Sequence, residues 1–385
     1  MKRQLQRSVV WIALALVVWP MTVATACYFC GPPQSRLSER LAKNDVAVLA
    51  EWIETTPGKN NVGGSTLFRV IERTRGPEEK LTFDKGDQIA LPRELNGERG
   101  QRCLLFGRKE DEIVWEAPVP LSDEAYRYVV KAPAIDEPAE KRLEYFLGFL
   151  ESRDSLISMD ALAEFATVPY PDVAAMAKKL PRKQLREWLT DAQTVPNRLG
   201  LYGMMLGLCG QDEDAELLWK KIETPHPGFP LGMDGITFGY LLLTKTNGLD
   251  ALDEHKLKQK TTDDNQLAAI MAALRVMWTD GGDRIPRERL RQSMRLCLDH
   301  PAVADKAIAD LSRWEDWSIQ DRLMSLYDAK DFDDSHTRTA IACYFVTASK
   351  SKPAATKLQA RKNLDKLRER DPEIVKVAER RLRTE

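Results

Sequence analysis

The six cysteines are the residues of this chain whose chemistry depends most on spacing and compartment. Cys27 and Cys30 form a Cys-x-x-Cys pair, and Cys103 lies in an apolar run, residues 102–107. A redox-active pair of this spacing belongs at a strand-to-helix turn, and no strand can precede Cys27 if the chain is cleaved before it. We therefore expect a structural disulfide from Cys103 to Cys27 or to Cys30. The remaining three thiols stand in apolar helical contexts and are expected to be small buried side chains: Cys209, Cys297 and Cys343.

Four aspartates, Asp328, Asp331, Asp333 and Asp334, resemble a calcium loop at first sight. The sixth position counted from Asp331 is His336 rather than glycine, and no glutamate closes the loop. We therefore expect an acidic turn with helix caps, and no metal ion or cofactor is predicted. The histidines lack a histidine or cysteine three or four positions away and are poor ligand candidates: His226, His255, His300 and His336.

Glycines 200, 203, 207 and 210 follow one another at spacings of three, four and three. This spacing puts three of them along one helix face, where a neighbouring backbone can approach closely. A phosphate loop would need G-x-G-x-x-G after a strand, and no strand precedes Gly200. Motifs G-x-S-x-G, H-E-x-x-H and the Walker loop are also missing, so no catalytic residue is predicted and the protein is not expected to be an enzyme.

Trp314 and Trp317 form a Trp-Glu-Asp-Trp sequence between helical segments. On a concave surface they would anchor a peptide, because tryptophan is favoured at binding hot spots. In this context we expect both rings to fill the core between helices. A binding surface formed by Trp314 and Trp317 is the alternative.

The balance of positive and negative charge indicates which classes of partner to expect. The 385 residues include 57 Lys and Arg against 58 Asp and Glu, and 43% are hydrophobic. This near-neutral balance removes the field that would attract nucleic acid or an anionic membrane, so we expect a protein partner instead.

The first 26 residues have the order of a secretory signal peptide: a basic start, an apolar run over residues 9–19, and small residues at Ala24 and Ala26. Cleavage is predicted between Ala26 and Cys27, and the protein is expected to be exported, to the periplasm or the medium. An uncleaved anchor is the alternative, although the apolar run is shorter than the roughly 20 residues of a spanning helix. A cysteine directly after the cut also fits a lipoprotein, so membrane association is expected only if Cys27 carries a lipid.

Residues 27–130 are predicted to form a small β domain of five strands after a short helix at 35–43. The predicted strands are residues 46–53, 66–73, 88–91, 102–106 and 113–119, separated by Pro-Gly, Gly-Gly, Gly-Asp and Asn-Gly turns. Short strands of this number suit a barrel or a sandwich.

A leading cysteine pair followed by DVAVLAEWI (45–53), FRVIERTRG (68–76), GDQIALP (86–92) and CLLFG (103–107) resembles a netrin-like module. This is the OB-type barrel also found in tissue inhibitors of metalloproteinases. The resemblance implies an inhibitor in which the free amine and carbonyl of Cys27 chelate the zinc of a protease. The chain departs from those inhibitors in having Cys-x-x-Cys where they have Cys-x-Cys.

A proline-rich linker, residues 131–138, precedes a helical region that extends from 139 to 385. Apolar residues recur there at helical spacing and predict about fourteen amphipathic helices that stack on their neighbours. Segments 160–166, 171–177 and 301–308 look like degenerate HEAT-type repeats, and the basic C-terminal stretch is expected to cap the array, with a basic docking face as the alternative.

The expected fold is therefore α+β and multidomain, with a small OB-like β-barrel followed by an all-α solenoid of HEAT-like hairpins. The expected function is that of an exported, non-catalytic interaction or scaffold protein of the cell envelope. A metalloprotease inhibitor acting through Cys27 and an enzyme with an unrecognised site are the alternatives.

Overall fold

The computed structural model describes residues 28–29, 35–58, 63–75, 83–224 and 231–384. Within them the fold is α+β: a curled antiparallel half-barrel is followed by a long helical region. Residues 1–26, Cys27 and Cys30 lie outside the described residues. The predicted signal cleavage between Ala26 and Cys27 therefore stays a prediction.

Six strands form the sheet in the described part of the chain, in the order β3-β2-β1-β4-β5 with β6 paired to β4, and all pairs are antiparallel. The five segments predicted as strands coincide with this sheet, the last of them divided into two short strands. The bounds are β1 (Val46–Thr56), β2 (Ser65–Arg75), β3 (Gln88–Leu91), β4 (Arg102–Lys109), β5 (Ile113–Trp115) and β6 (Val119–Pro120).

Both faces of the central strands are buried. Because side chains alternate along a strand, Val48 of β1 and Leu105 of β4 point into the curl of the sheet, together with Cys103. Leu49 and Phe106 point the other way and join the core of the helical region. One face of the central strands therefore packs on the interior of the curl, and the other face packs on the helices.

The open seam of the curl, between β3 and β5, is closed by side chains. Pro92 follows β3 directly and has no N–H with which to extend it. Beyond it, Arg93 donates hydrogen bonds to the carbonyl oxygens of Trp115, at 2.9 Å, and of Glu116, at 2.5 Å. Phe83 packs edge-on against Trp115 with ring centroids 5.5 Å apart. Side-chain contacts thus bridge the gap between β3 and β5. In a closed barrel a ladder of backbone hydrogen bonds would join these two strands.

Sixteen α-helices are present among the described residues, and fourteen of them follow residue 138. One helix, which Ser122 caps by accepting from the backbone N–H of Ala125, lies in the part expected to be β. The bounds are α1 (Leu37–Lys43), α2 (Asp123–Lys131), α3 (Ala139–Leu147), α4 (Ser155–Ala166), α5 (Tyr170–Ala175), α6 (Arg182–Thr190), α7 (Leu199–Cys209), α8 (Asp212–Glu223), α9 (Met233–Leu252), α10 (Asp264–Asp280), α11 (Arg287–Leu296), α12 (Pro301–Arg313), α13 (Gln320–Tyr327), α14 (Ser335–Ala348), α15 (Ala354–Arg370) and α16 (Pro372–Thr384).

The later helices lie in two layers. In one layer α9, α10, α12, α14 and α16 pack successively side by side. In the other, α11, α13 and α15 pack against helices of the first layer. One apolar core includes residues of the sheet, such as Leu104, and residues of the helices on both sides of the expected linker, such as Tyr128 and Leu143.

The predicted glycine face packs directly on a neighbouring backbone. A Cβ atom placed on Gly203 would lie 2.6 Å from the Cα atom of Ile236, and one on Gly207 would lie 2.4 Å from the Cα atom of Gly239. Helices α7 and α9 therefore touch through their main chains. The predicted close approach is confirmed.

Replacing Gly207 with alanine is expected to lower the free energy of unfolding by about 1–3 kcal/mol, because the new methyl group forces the two helices apart. Gly148→Ala is the control, since a Cβ atom there would meet only the carbonyl oxygen of Tyr145, at 3.7 Å. Urea unfolding of both variants measures the difference. Equal stabilities of the two variants would contradict the close contact.

Two buried carboxylates of α4 hold the N-terminal helices in place. The fully buried Glu164 accepts hydrogen bonds from Arg36, Ser38 and Arg142. One turn earlier, Asp160 accepts from the backbone N–H of Leu37 and from the hydroxyl of Tyr128, both at 2.7 Å. Helices α1, α2 and α3 thus all meet α4 at these two groups.

The pH dependence of stability tests this junction. Burial raises the pKa of Asp160 to about 6 from 3.8, against the lowering effect of its two hydrogen-bond donors. Because the folded state then binds a proton more tightly than the unfolded state, this group's contribution makes stability fall as pH rises from about 4 to about 6.

Asp160→Asn keeps an acceptor for Leu37 and cannot ionise, so this loss, of the order of 1–3 kcal/mol, should disappear in the variant. Chemical unfolding at intervals between pH 4 and pH 7 measures it. If the free energy of unfolding changed with pH in the same way for the variant and the wild type, Asp160 would not be the group responsible.

Candidate functional site

The candidate site is a groove of ≈ 790 Å³ on the layer formed by α10, α12, α14 and α16, which we call the C-terminal groove. Its position follows from side-chain size. Helices α12 and α14 present small residues to it, among them Ala309 and Ala340, so a depression forms between longer side chains at its edges. The lining residues are Arg275, Asp305, Lys306, Ala309, Ser312, Arg313, Ser335, His336, Thr339, Ala340, Cys343, Tyr344, Thr347, Ile374, Val377, Arg381 and Leu382.

The floor of the groove is partly apolar. Tyr344 is fully buried beneath it, and its hydroxyl donates to the carbonyl oxygen of Asp316 at 2.6 Å. Ile374 and Val377 enter from α16, and 46% of Val377 is exposed. An exposed β-branched side chain beside a concavity offers apolar area to a ligand.

The edges of the groove are basic. Arg275 and Arg313 both bind Asp310, whose side chain is only 2% exposed, at 2.7 and 3.0 Å. Burial raises the pKa of Asp310, while the two guanidinium groups oppose that shift. Lys306 is exposed and has no ion-pair partner in the described part of the chain.

Arg381 adds a fourth positive charge, from α16. Against these four, Asp305 and Asp310 contribute two negative charges. The groove therefore carries an excess of positive charge.

The C-terminal helix contributes both to the core and to the groove. The buried side of α16 is set into the core by Val375 and Ala378, which are 2% and 0% exposed. Its other side supplies Ile374, Val377 and Arg381 to the groove. Helix α16 is thus one wall of the groove.

The two tryptophans proposed as a binding surface lie behind the groove. Trp314 is 5% exposed and stacks on Trp278 with centroids 4.4 Å apart and planes within 6°. The half-buried Trp317 packs edge-on against Tyr344 at 5.3 Å. Trp314 is therefore a core residue, as expected, and it offers little surface to a partner. The residue after it, Glu315, has a left-handed backbone with a φ of 55°.

The cysteines are divided between core and half-buried positions. Cys103 is a free thiol that faces the interior of the sheet, and burial raises its pKa to about 11. Because its two predicted partners, Cys27 and Cys30, lie outside the described residues, the disulfide stays a prediction. Cys297 is fully buried as expected, whereas Cys209 and Cys343 are half-buried.

The aspartates of the supposed calcium loop cap a helix or form ion pairs, and they do not converge on one point. Asp334 caps α14 by accepting from the backbone N–H groups of His336 and Thr337, both at 2.9 Å. Asp333 binds Arg338, at 2.8 Å, and Asp328 binds Arg370. No group of three potential metal ligands occurs within the described ranges.

The three histidines among the described residues have different surroundings. The Nε2 atom of the buried His300 lies 2.7 Å from the carbonyl oxygen of Leu257, and the ring of His255 packs against Trp219. His336 lines the C-terminal groove. His226 is outside the described residues.

Sequence reasoning did not identify the C-terminal groove. A signal was present in the alternation of small residues with Lys306 and Arg313 along residues 305–313, and in the small residues of 335–347. These two segments become one surface only when α12 packs on α14, which no local pattern specifies.

Comparisons of this chain with known protein families, with characterised proteins and with solved structures found no match. Among the described helices, none combines the length and the apolar character that crossing a membrane requires.

The double-arginine contact yields a prediction about the groove's edge. Arg275→Ala should lower the free energy of unfolding by about 1–3 kcal/mol, because it leaves the buried Asp310 with one partner, which comes from its own helix. Arg313→Ala should cost less than about 1 kcal/mol, since the side chain of Arg313 is 72% exposed. Thermal or urea unfolding distinguishes the two. A larger loss of stability for Arg313→Ala than for Arg275→Ala would contradict this prediction.

Proposed function

We propose that this protein is an exported, non-catalytic interaction protein whose C-terminal groove binds an acidic, partly apolar segment of a partner protein. The observation that carries the proposal is the combination of an apolar floor with four basic side chains around it, of which Lys306 is exposed and unpaired within the described residues.

Each part of the groove has a distinct physical role in such binding. Burial of apolar side chains on Ile374 and Val377 would supply most of the affinity. The basic edge would supply orientation, faster association and selection against basic partners. The expected occupant is therefore a segment in which carboxylates flank one or more apolar residues.

The architecture in which this groove sits is part of the proposal. Successive packing of α10, α12, α14 and α16 supports a solenoid of HEAT-like hairpins, which commonly bind partners along one face. The half-barrel and the positions of its strands support an OB-like, netrin-like module. The sequence of residues 1–26 supports export, and residues 27–130 and 139–385 are proposed as the two domains.

Binding of a labelled peptide tests the function. The probe is a twelve-residue peptide in which pairs of glutamates alternate with pairs of residues that include leucine. Its counterpart carries glutamine in place of every glutamate. We expect the acidic peptide to bind and Lys306→Glu to weaken it by about tenfold, equivalent to about 1.4 kcal/mol. The binding should also weaken as salt is raised, since the edge charges are exposed.

The control variant is Lys362→Glu, an exposed lysine of α15, the helix in the other layer. It makes the same change in net charge away from the groove. Fluorescence anisotropy at low and physiological salt compares the variants. Equal weakening by both substitutions, or equal affinity for the glutamine peptide, would argue against the groove as the binding site.

A further inference from the structure

A basic and partly apolar surface lies on the outer side of α15 and on the turn before it. Residues 350–366 contain six lysines and arginines and one acidic residue, Asp365. Leu358 lies among them and is 57% exposed, the largest value among the exposed large apolar side chains of the described residues. We call Leu358 and these six cations the α15 patch: Lys350, Lys352, Lys357, Arg361, Lys362 and Lys366.

The helical period brings the centre of the patch onto one face. Helix α15 packs on α13, α14 and α16 through its buried stripe, which is formed by Ala360, Asn363, Leu364 and Leu367. Leu358 lies on the opposite side of the helix. Arg361 and Lys362, three and four positions further on, are its neighbours on the next turn, and both are exposed. The exposed leucine is therefore bordered by two cations.

The cations of the α15 patch differ from the arginines at the other end of the same helix. Arg368 binds Asp365 and Glu379, and Arg370 binds Asp328. None of the six cations of the patch takes part in an ion pair with another described residue, and Asp365, the one acidic residue in their segment, is held by Arg368. Their charge is therefore available to an external anion.

Two further features of α15 favour an anion at this face. Lys357 and Arg361, and likewise Lys362 and Lys366, are like charges four positions apart, and such pairs weaken a helix until an anion offsets their repulsion. The first turn of α15 contains no acidic residue, and its N-cap, Pro353, offers no side-chain acceptor to the free backbone N–H groups. The positive end of the helix dipole therefore adds to the charge of the side chains.

We propose that the α15 patch binds the surface of an anionic phospholipid bilayer. A bilayer offers phosphate groups to the lysines and arginines and, directly beneath them, an apolar layer to Leu358. The long apolar stems of the basic side chains let their charged ends stay at the phosphates while the leucine enters.

Two other classes of anion fit the patch less well. Nucleic acid would pair with the cations and leave Leu358 in water. An acidic peptide is better held by the concave C-terminal groove than by the convex face of a single helix. The near-neutral charge of the whole chain does not oppose membrane binding, because exposed charges act over only about 8 Å at physiological ionic strength.

The position of the patch is compatible with the proposed function. The C-terminal groove lies on the layer formed by α10, α12, α14 and α16, and none of its lining residues belongs to the patch. The groove and the patch can therefore be occupied together, which would place a bound partner beside the membrane. Leu358 contacts lipid in this arrangement and not a partner protein.

Cosedimentation with lipid vesicles tests the proposal. One kind of vesicle contains phosphatidylcholine alone, and the other also contains phosphatidylglycerol, which carries a negative charge. Chains with and without residues 1–26 are both used, because insertion of the apolar run at 9–19 would be equal in the two kinds of vesicle. We expect at least about tenfold tighter binding to the anionic vesicles, and we expect added salt to remove the difference.

Substitutions separate the contribution of charge from that of the leucine. Lys362→Glu should weaken binding to the anionic vesicles by about tenfold, and Leu358→Ala by about threefold. The control is Lys178→Glu, at an exposed lysine between α5 and α6, which makes the same change in net charge. It should leave binding within about twofold of the wild type.

Equal binding to the two kinds of vesicle, or equal weakening by Lys362→Glu and Lys178→Glu, would overturn the proposal. A DNA duplex that bound as tightly as the anionic vesicles, with no effect of Leu358→Ala on either ligand, would also overturn it, because the patch would then be a general polyanion site. Lys362→Glu is the control in the peptide-binding experiment on the groove. Failure of the groove and failure of the patch therefore give different results.

Discussion

The structure depends on carboxylates that are buried and must therefore be paired. Glu164, Asp214 and Asp310 are each shielded from solvent and bound by two arginines, and in every case at least one arginine comes from a different helix. Breaking such a pair leaves an uncompensated charge in the core, which costs several times more than breaking a surface pair. Neighbouring helices consequently cannot slide past one another, and the same constraint joins α1 and α3 to α4 on the one hand and α10 to α12 on the other.

The C-terminal groove follows from how this constraint is met. There Asp310 holds Arg275 and Arg313 at the edge, and small residues of α12 and α14 leave room between them, so a basic rim surrounds an apolar floor. Near the N-terminus of the helical region, α7 contacts α9 directly through Gly203 and Gly207.

Local patterns were sufficient for much of the fold and for little of the sites. The strands at 46–53 and 102–106 were predicted because alternation and turn residues are visible in short windows, and the packing face around Gly203 followed from spacing alone. Helix α2 was missed because it directly follows the last strand, and the stacking of Trp314 on Trp278, 36 positions earlier, is not visible in a short window of sequence. The groove combines segments that are brought together only by packing, so neither its volume nor the pairing of Asp310 with Arg275 was accessible from spacing.

Photo-crosslinking in living cells, from a side chain that faces the groove, tests directly whether the C-terminal groove binds a partner. A photoreactive amino acid at Val377, which is 46% exposed on α16, is compared with the same amino acid at Leu358, which is 57% exposed on α15. If the groove binds an acidic segment, a discrete adduct forms from position 377 alone, the attached partner peptide is rich in acidic residues, and Lys306→Glu lowers the yield. Adducts of equal yield from both positions, or a basic or wholly apolar peptide at position 377, would contradict it.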